Sequence, residues 1–242
     1  MPTFLHGRNT SVLWNTTVMS GYLQQTDFEV SLETHDVTTY GKGWKEYAAG
    51  LLDSTTGFQG IYDAAAGTVI EAALGTDAGV LTYCPAGGTA VGERARLVSV
   101  TTANYSESAP VGDVVKFSWD VQSESTTGFG QVLHPLGTDT NTTTGATKDD
   151  TAATTSGWTS HLHVTGVSAG SWVVKLQDSP NGSSWSDVTG GAFTAATGAT
   201  TQRLSSAANT TSLGRYVRYV ATRTGGSASD TITFHLSYAR NR

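Results

Sequence analysis

Three histidines, His161, His163 and His235, are the first residues whose types and spacing could do chemistry. His161 and His163 are two apart, so on a strand they share a face. A third imidazole from a neighbouring strand would give the nitrogen set that zinc accepts. No carboxylate or cysteine stands near them at a ligand spacing, and single strand histidines are ordinarily structural, so the sequence argues against a metal site. Cys84 precedes Pro85 with no nucleophile motif around it, and a lone cysteine reads as a small buried hydrophobe. No serine is read as a nucleophile. Asp149 and Asp150 fall in a Thr/Gly-rich stretch, a poor place to hold catalytic geometry. Glu29 and Glu33 fall on the polar face of a strand and read as solvated. Gly57-x-x-Gly60 matches no phosphate loop. Arg94/Arg96 and Arg215/Arg218/Arg223 are modest basic clusters, and the acidity of the N-terminal part disfavours a groove that grips phosphates. No catalytic residue, metal or cofactor is therefore expected, and the residues point to a structural role.

The elements around these residues read as β. The chain has 242 residues, of which 14% are charged, and it is rich in threonine, which favours strands, and glycine, which favours turns. Phe28, Val30 and Leu32 alternate with Glu29, Ser31 and Glu33, a period of two that marks a half-buried strand. Val115, Phe117, Trp119 and Val121 repeat the pattern against Lys116, Ser118, Asp120 and Gln122, with 129–134 as the expected hairpin partner. Further strands are expected at 55–62, 80–84 and 93–103, with a loop over 104–110. Residues 4–5 and 12–14 read as a strand pair or an arm. One helix is predicted over 64–74, with Asp63 as N-cap and Gly75 as a left-handed cap, and a shorter helical turn over 44–49.

Residues 136–157 are nearly all Gly, Thr, Asp, Asn, Ala and Ser, and read as a linker between a first domain (1–135) and a second (158–242). Residues 1–135 carry 14 acids against 6 bases, while 158–242 carry 3 against 7, so the two parts expect different neighbours. The second part spaces its apolar residues as a β-sandwich does, with Trp172 and Trp185 in its core and Asn181-Gly182 at a hairpin turn. A single cysteine excludes an internal disulfide, and the N-terminus carries no apolar signal segment, so folding in a reducing cytoplasm is expected. No run reaches the length of a membrane span, and membrane insertion is not expected.

Three stretches resemble the tail tube proteins of long-tailed bacteriophages. They are Ser20-Gly21-Tyr22-Leu23 leading into the strand at 28–34, Asp36-Val37-Thr38-Thr39-Tyr40-Gly41 leading to Trp44-Lys45-Glu46-Tyr47-Ala48-Ala49-Gly50-Leu51, and Gly57-Phe58-Gln59-Gly60-Ile61-Tyr62-Asp63 before the helix. Together they span about the first third of the chain, with a looser match to His134. The C-terminal part resembles β-sandwich domains appended to phage structural proteins, and similar sandwiches also occur as carbohydrate-binding modules.

The resemblance implies a mainly β, tail-tube-type barrel or sandwich with one short helix, followed by a second β-sandwich. It also implies hexameric rings stacked into a tube within a virion tail, assembled in the host cytoplasm, with other tail proteins at the tube ends and DNA passing through unbound. The 38–54 loop, with Tyr40, Trp44, Tyr47, Leu51 and Leu52, is too apolar for water and either bridges subunits or folds over its own core. Glu29, Ser31, Glu33, Ser118, Asp120, Gln122 and Glu124 are the expected lumen-facing residues. A carbohydrate-binding or adhesion module, with weak glycan contact by the C-terminal domain, and a single-ring head–tail connector or terminator are the alternative readings.

Overall fold

The computed structural model describes residues 5–74 and 79–241. Phe4 and Gly75, read above as part of an arm and as the helix cap, lie outside the described residues. In chain order the elements are β1 (Ser11–Trp14), β2 (Thr17–Val18), β3 (Leu23–Asp36), β4 (Tyr47–Ile61), α1 (Ala64–Ala73), β5 (Gly79–Cys84), β6 (Arg94–Ser108), β7 (Lys116–Ser123), β8 (Gly128–Thr140), β9 (Thr143–Thr144), β10 (Lys148–Asp149), β11 (Trp158–Val167), β12 (Ser171–Ser179), β13 (Ser186–Ala192), β14 (Thr200–Ser205), β15 (Tyr216–Thr224) and β16 (Thr231–Arg240). The fold is mainly β with one α-helix, as the composition predicts. The chain divides into two compact units: unit 1 is Met1–Gly21, Val80–Val98 and Gly128–Arg242, and unit 2 is Tyr22–Gly79 and Ser99–Thr127.

Unit 2 is an antiparallel sheet in the order β3-β4-β7 followed by the outer part of β6, together with α1. The alternation read in β7 is present: Phe117, Trp119 and Val121 are buried. Phe58 of β4 stacks on Trp119 with ring centroids 4.9 Å apart. Three expectations change here. The partners of β7 are β4 and β6, not 129–134; adjacency in sequence favoured the shorter hairpin, but the long register with β4 covers more apolar face. The expected loop over 104–110 is strand as far as Ser108, because those residues pair with β7. The expected helical turn over 44–49 is absent, and residues 47–49 are strand paired with β3. The helix lies at 64–73, with Ile70 buried.

Unit 1 pairs strands in the order β14-β11-β16-β8-β6-β5-β1-β2, using the inner end of β6, and adds a second sheet, β10-β15-β12-β13, with β9 also on β15. Its main core lies between Leu162 and Val164 of β11, Trp172, Val174 and Leu176 of β12, Val217, Tyr219 and Ala221 of β15, and Ile232, Phe234 and Leu236 of β16. Residues 136–157, read as a linker, contain the end of β8 together with β9 and β10, and lie within unit 1. Asp139 and Asp150 are the segment's covered carboxylates, and its backbone is used as well: Gly145 N–H donates to Tyr219 O at 3.0 Å, and Asp150 N–H to Arg215 O at 3.1 Å. A Cβ at Gly145 would overlap the Tyr219 ring, so glycine is what lets this segment lie so close. Trp172 is in the core, as expected. Trp185 is only half-buried, with the Arg218 guanidinium 4.0 Å from its ring centroid.

Candidate functional site

The β3–β4 hairpin is the element whose needs the chain leaves unmet. Its inner half is braced: residues 55–61 of β4 pair with β7 across one edge and with β3 across the other. Its outer half, 30–36 with 47–54, is a two-stranded ribbon, and such a ribbon is marginal in water by itself. Among the described residues β3 pairs with β4 alone, so one edge of a 14-residue strand is open.

The ribbon tip is ordered by its own hydrogen bonds. Val37 N–H donates to Glu46 O at 2.9 Å, Glu46 N–H to Thr38 Oγ1 at 2.9 Å, and Thr38 N–H to Asp36 Oδ1 at 2.9 Å. The Thr38 donors hold the Asp36 carboxyl below the usual carboxylate range. Apolar side chains nevertheless stand outward: Trp44 is 88% exposed, Leu51 78%, Leu52 72% and Tyr47 57%, with Tyr40 fully exposed. The five residues read as an interface are all exposed on the ribbon and its tip, with Leu51 and Leu52, neighbours on β4, pointing to opposite faces. The 38–54 loop is shorter than expected, since residues 47–54 are strand. Phe28, Val30 and Leu32 face Thr56, Ser54 and Leu52 in direct pairs, so the apolar face of the sheet runs on from the core into solvent.

The opposite face is polar and acidic. Cross-strand register aligns Gln25–Gln59–Ser118, Asp27–Gly57–Asp120 and Glu29–Thr55–Gln122, with Ser31 opposite Asp53. Directly paired residues share a face, so Glu29, Ser31, Ser118, Asp120 and Gln122 are brought onto one surface. Glu33 continues the alternation of β3, 3.5 Å from His35. Glu124 follows β7 and accepts from the hydroxyls of Ser99, at 3.3 Å, and Thr101. Unit 2 as a whole has 13 acids and 3 bases, whereas unit 1 has 7 acids and 11 bases.

The residues that could have done chemistry are otherwise engaged. The three histidines do meet: His163 is paired directly with His235, and the ring centroids of His161–His163 and His163–His235 are 6.1 and 6.2 Å apart. All three are buried, and among the described residues no set of side chains could hold a metal ion. Burial, with Glu93 nearby, pushes the Cys84 thiol up to about 12, so it is not a nucleophile at neutral pH. The C-terminal arginine cluster is engaged: Arg215 grips Asp149 with Nε and Nη2 at 2.7 and 2.6 Å, Arg218 donates to Gln177, and Arg223 lies 3.6 Å from Asp230.

One serine does stand in a nucleophile-elbow pattern. Gly166-Val167-Ser168-Ala169-Gly170 fits Gly-x-Ser-x-Gly. It sits between β11 and β12, with no helix after it, and Ser168 Oγ accepts from Thr231 N–H at 2.8 Å. A nucleophile elbow needs a strand-to-helix turn, so this serine is a loop clasp.

No family model matches the chain, and no curated protein matches it. Solved structures similar to it include the tail of an empty gene transfer agent particle with C6 symmetry, at 13% identity, covering 52% of this chain and 98% of that one, with a TM-score of 0.42. The SPP1 tail tube is similar at 12% identity over 50% of this chain and 77% of that one, with a TM-score of 0.44. The SPP1 Dit protein, described as a hub adsorption apparatus of phages infecting Gram-positive hosts, is similar at 12% identity over 94% and 98%, with a TM-score of 0.35. These three are described as a tail, a tail tube and a hub protein. At these scores the likeness bears no part of the argument that follows.

Proposed function

We propose that the chain is a non-enzymatic virion protein whose copies join through the β3–β4 ribbon, close into hexameric rings and stack into a phage tail tube through which DNA is ejected. The observation that carries this is the ribbon itself: a long hairpin with one open edge among the described residues and apolar side chains in solvent. Large exposed apolar patches mark contact surfaces. An open edge is a template for strand addition, and head-to-tail contacts between rings do not close, so they build a filament. A second copy is the partner that a self-assembling tube requires.

Tyr40, Trp44, Tyr47, Leu51 and Leu52 are assigned to the subunit interface. The acidic face bearing Glu29, Ser31, Glu33, Ser118, Asp120, Gln122 and Glu124 is assigned to the lumen. DNA carries one negative charge per about 1.7 Å of axis, so a basic bore would hold it and an acidic one lets it slide. Other tail proteins would meet the tube ends, with assembly in the host cytoplasm. The number six rests on the family resemblance of the sequence.

Negative-stain microscopy of concentrated, purified protein tests the reading. Tubes are expected from the native chain, and monomers from the Trp44→Ala/Leu51→Ala double variant. Native protein that stays monomeric, or normal tubes from the double variant, would overturn it. Isolated rings would indicate the connector reading.

A further inference from the structure

The buried histidines of unit 1 have no part in the proposed assembly, yet three imidazoles are a costly thing to place in a protein interior. Their hydrogen bonds form a directed chain. The Asn15 carbonyl, 2.7 Å from His163 Nδ1, can only accept, so that nitrogen carries the proton. His163 Nε2 is then an acceptor, and it takes the Thr82 hydroxyl at 2.7 Å. Thr82 Oγ1 is left to accept from His161 Nδ1 at 3.2 Å. His235 Nε2 lies 2.7 Å from Ser237 Oγ. In strand order β5 and β11 are separated by β6, β8 and β16, so the Thr82 bonds cross the inside of the curled sheet rather than follow it.

We propose that the His161–His163–His235 cluster is an acid-operated latch across the interior of unit 1, closed while the imidazoles are neutral and released when protons enter. Protonation at His163 Nε2 turns an acceptor into a donor, and the bond from Thr82 is lost. Among the described residues no carboxylate acts on the rings. The groups facing the rings are His134 of β8, Arg203 of β14 and the Cys84 thiol of β5, so two add only positive charge and the third stays neutral. Burial already holds all three imidazoles below their ordinary range, His163 down to about 4.

The sign follows by linkage. The unfolded chain takes up protons near pH 6.5 while the folded cluster refuses them, so stability is full above about pH 6.5 and falls below it. Each excluded proton multiplies the unfolding constant about tenfold per pH unit, so three give up to about a thousandfold.

The test is denaturant unfolding of the full chain, followed by tryptophan fluorescence, at intervals from pH 7.5 to 5.5. The unfolding constant is expected to rise steeply below pH 6.5. His163→Gln can keep both hydrogen bonds but cannot charge, and its slope should be about tenfold per pH unit shallower. A pH-independent constant in the native chain, or an unchanged slope in H163Q, would overturn the latch. Should H163Q not fold, imidazole NMR titration of the native chain decides: rings still neutral at pH 5.5 support it, and rings titrating near 6.5 while folded refute it.

Discussion

In unit 1, His161, His163, Ser160 and Ser237 lie inside the protein; in unit 2, Trp44, Leu51 and Leu52 stand in water. Each placement reverses the usual preference of those residue types. In unit 1 most of these groups are met within the chain: Thr82, Asn15 and Ser237 meet the imidazoles, His161 Nε2 excepted, and Ser160 Oγ donates to Ser237 O at 2.8 Å. In unit 2 the outer ribbon has, among the described residues, no third strand paired to it, and its apolar side chains stay in solvent. Mutations should therefore separate folding from assembly, with the large folding effects in unit 1.

The largest effect is expected from Trp172→Ala. Trp172 is fully buried between the sheets of unit 1, and its Nε1–H donates to Ala169 O at 3.1 Å. Removing such a ring typically costs about 3–5 kcal/mol, to be read from the urea midpoint at unchanged m-value. Asp150→Ala should follow at about 3 kcal/mol, the range for breaking a buried ion pair. The Asp150 carboxylate accepts from Arg240 Nε at 2.6 Å, the Tyr238 hydroxyl at 2.7 Å and the Gln131 amide, and the Arg240 and Asp150 side chains are mostly covered. A loss well below 1 kcal/mol would show that the three carbonyls bonded to Arg240 suffice to hold it. Gly182→Ala should cost about 1 kcal/mol, because Gly182 has φ +74 in the β12–β13 turn and any side chain is strained there.

Much of this contrast is written in the sequence, but unevenly. Alternation alone locates β7, because Phe117, Trp119 and Val121 sit on a half-buried strand with a polar far side. It also gathers Glu29, Ser31, Ser118, Asp120 and Gln122 onto polar faces, and register then aligns those faces into one. What the sequence conceals is pairing at a distance. Residues 47–54, Tyr-Ala-Ala-Gly-Leu-Leu-Asp-Ser, lack a period of two and invite a turn or loop reading, yet they are extended because β3 offers them hydrogen bonds. Residues 136–157 look like a tether by composition and are held instead by backbone bonds to β15 and its neighbourhood, which use no apolar side chain. The histidine cluster joins the β1–β2 turn, β5, β11 and β16. The sequence shows the i, i+2 spacing of His161 and His163 and offers His235 from another strand, but not Thr82 and Asn15 as their partners.

The smallest expected effect on folding is also the sharpest test of the comparison. Trp44 is a highly exposed aromatic at the ribbon tip, and the tip is tied by other residues, Thr38, Asp36, Lys42 and Glu46. Truncating an exposed side chain away from structural features changes stability within about 0.5 kcal/mol. Trp44→Ala should therefore leave the urea midpoint of the monomer where it was. If the ribbon is an interface, the same change removes a large aromatic anchor, and such anchors commonly contribute 2 kcal/mol or more to association, roughly a thirtyfold shift. Sedimentation across a concentration series should then show assembly displaced to higher protein concentration while the folded monomer is unaltered. A fall in monomer stability instead would mean that Trp44 packs on its own chain in solution. The exposure of unit 2 would then be a feature of the isolated fold rather than a demand for a partner.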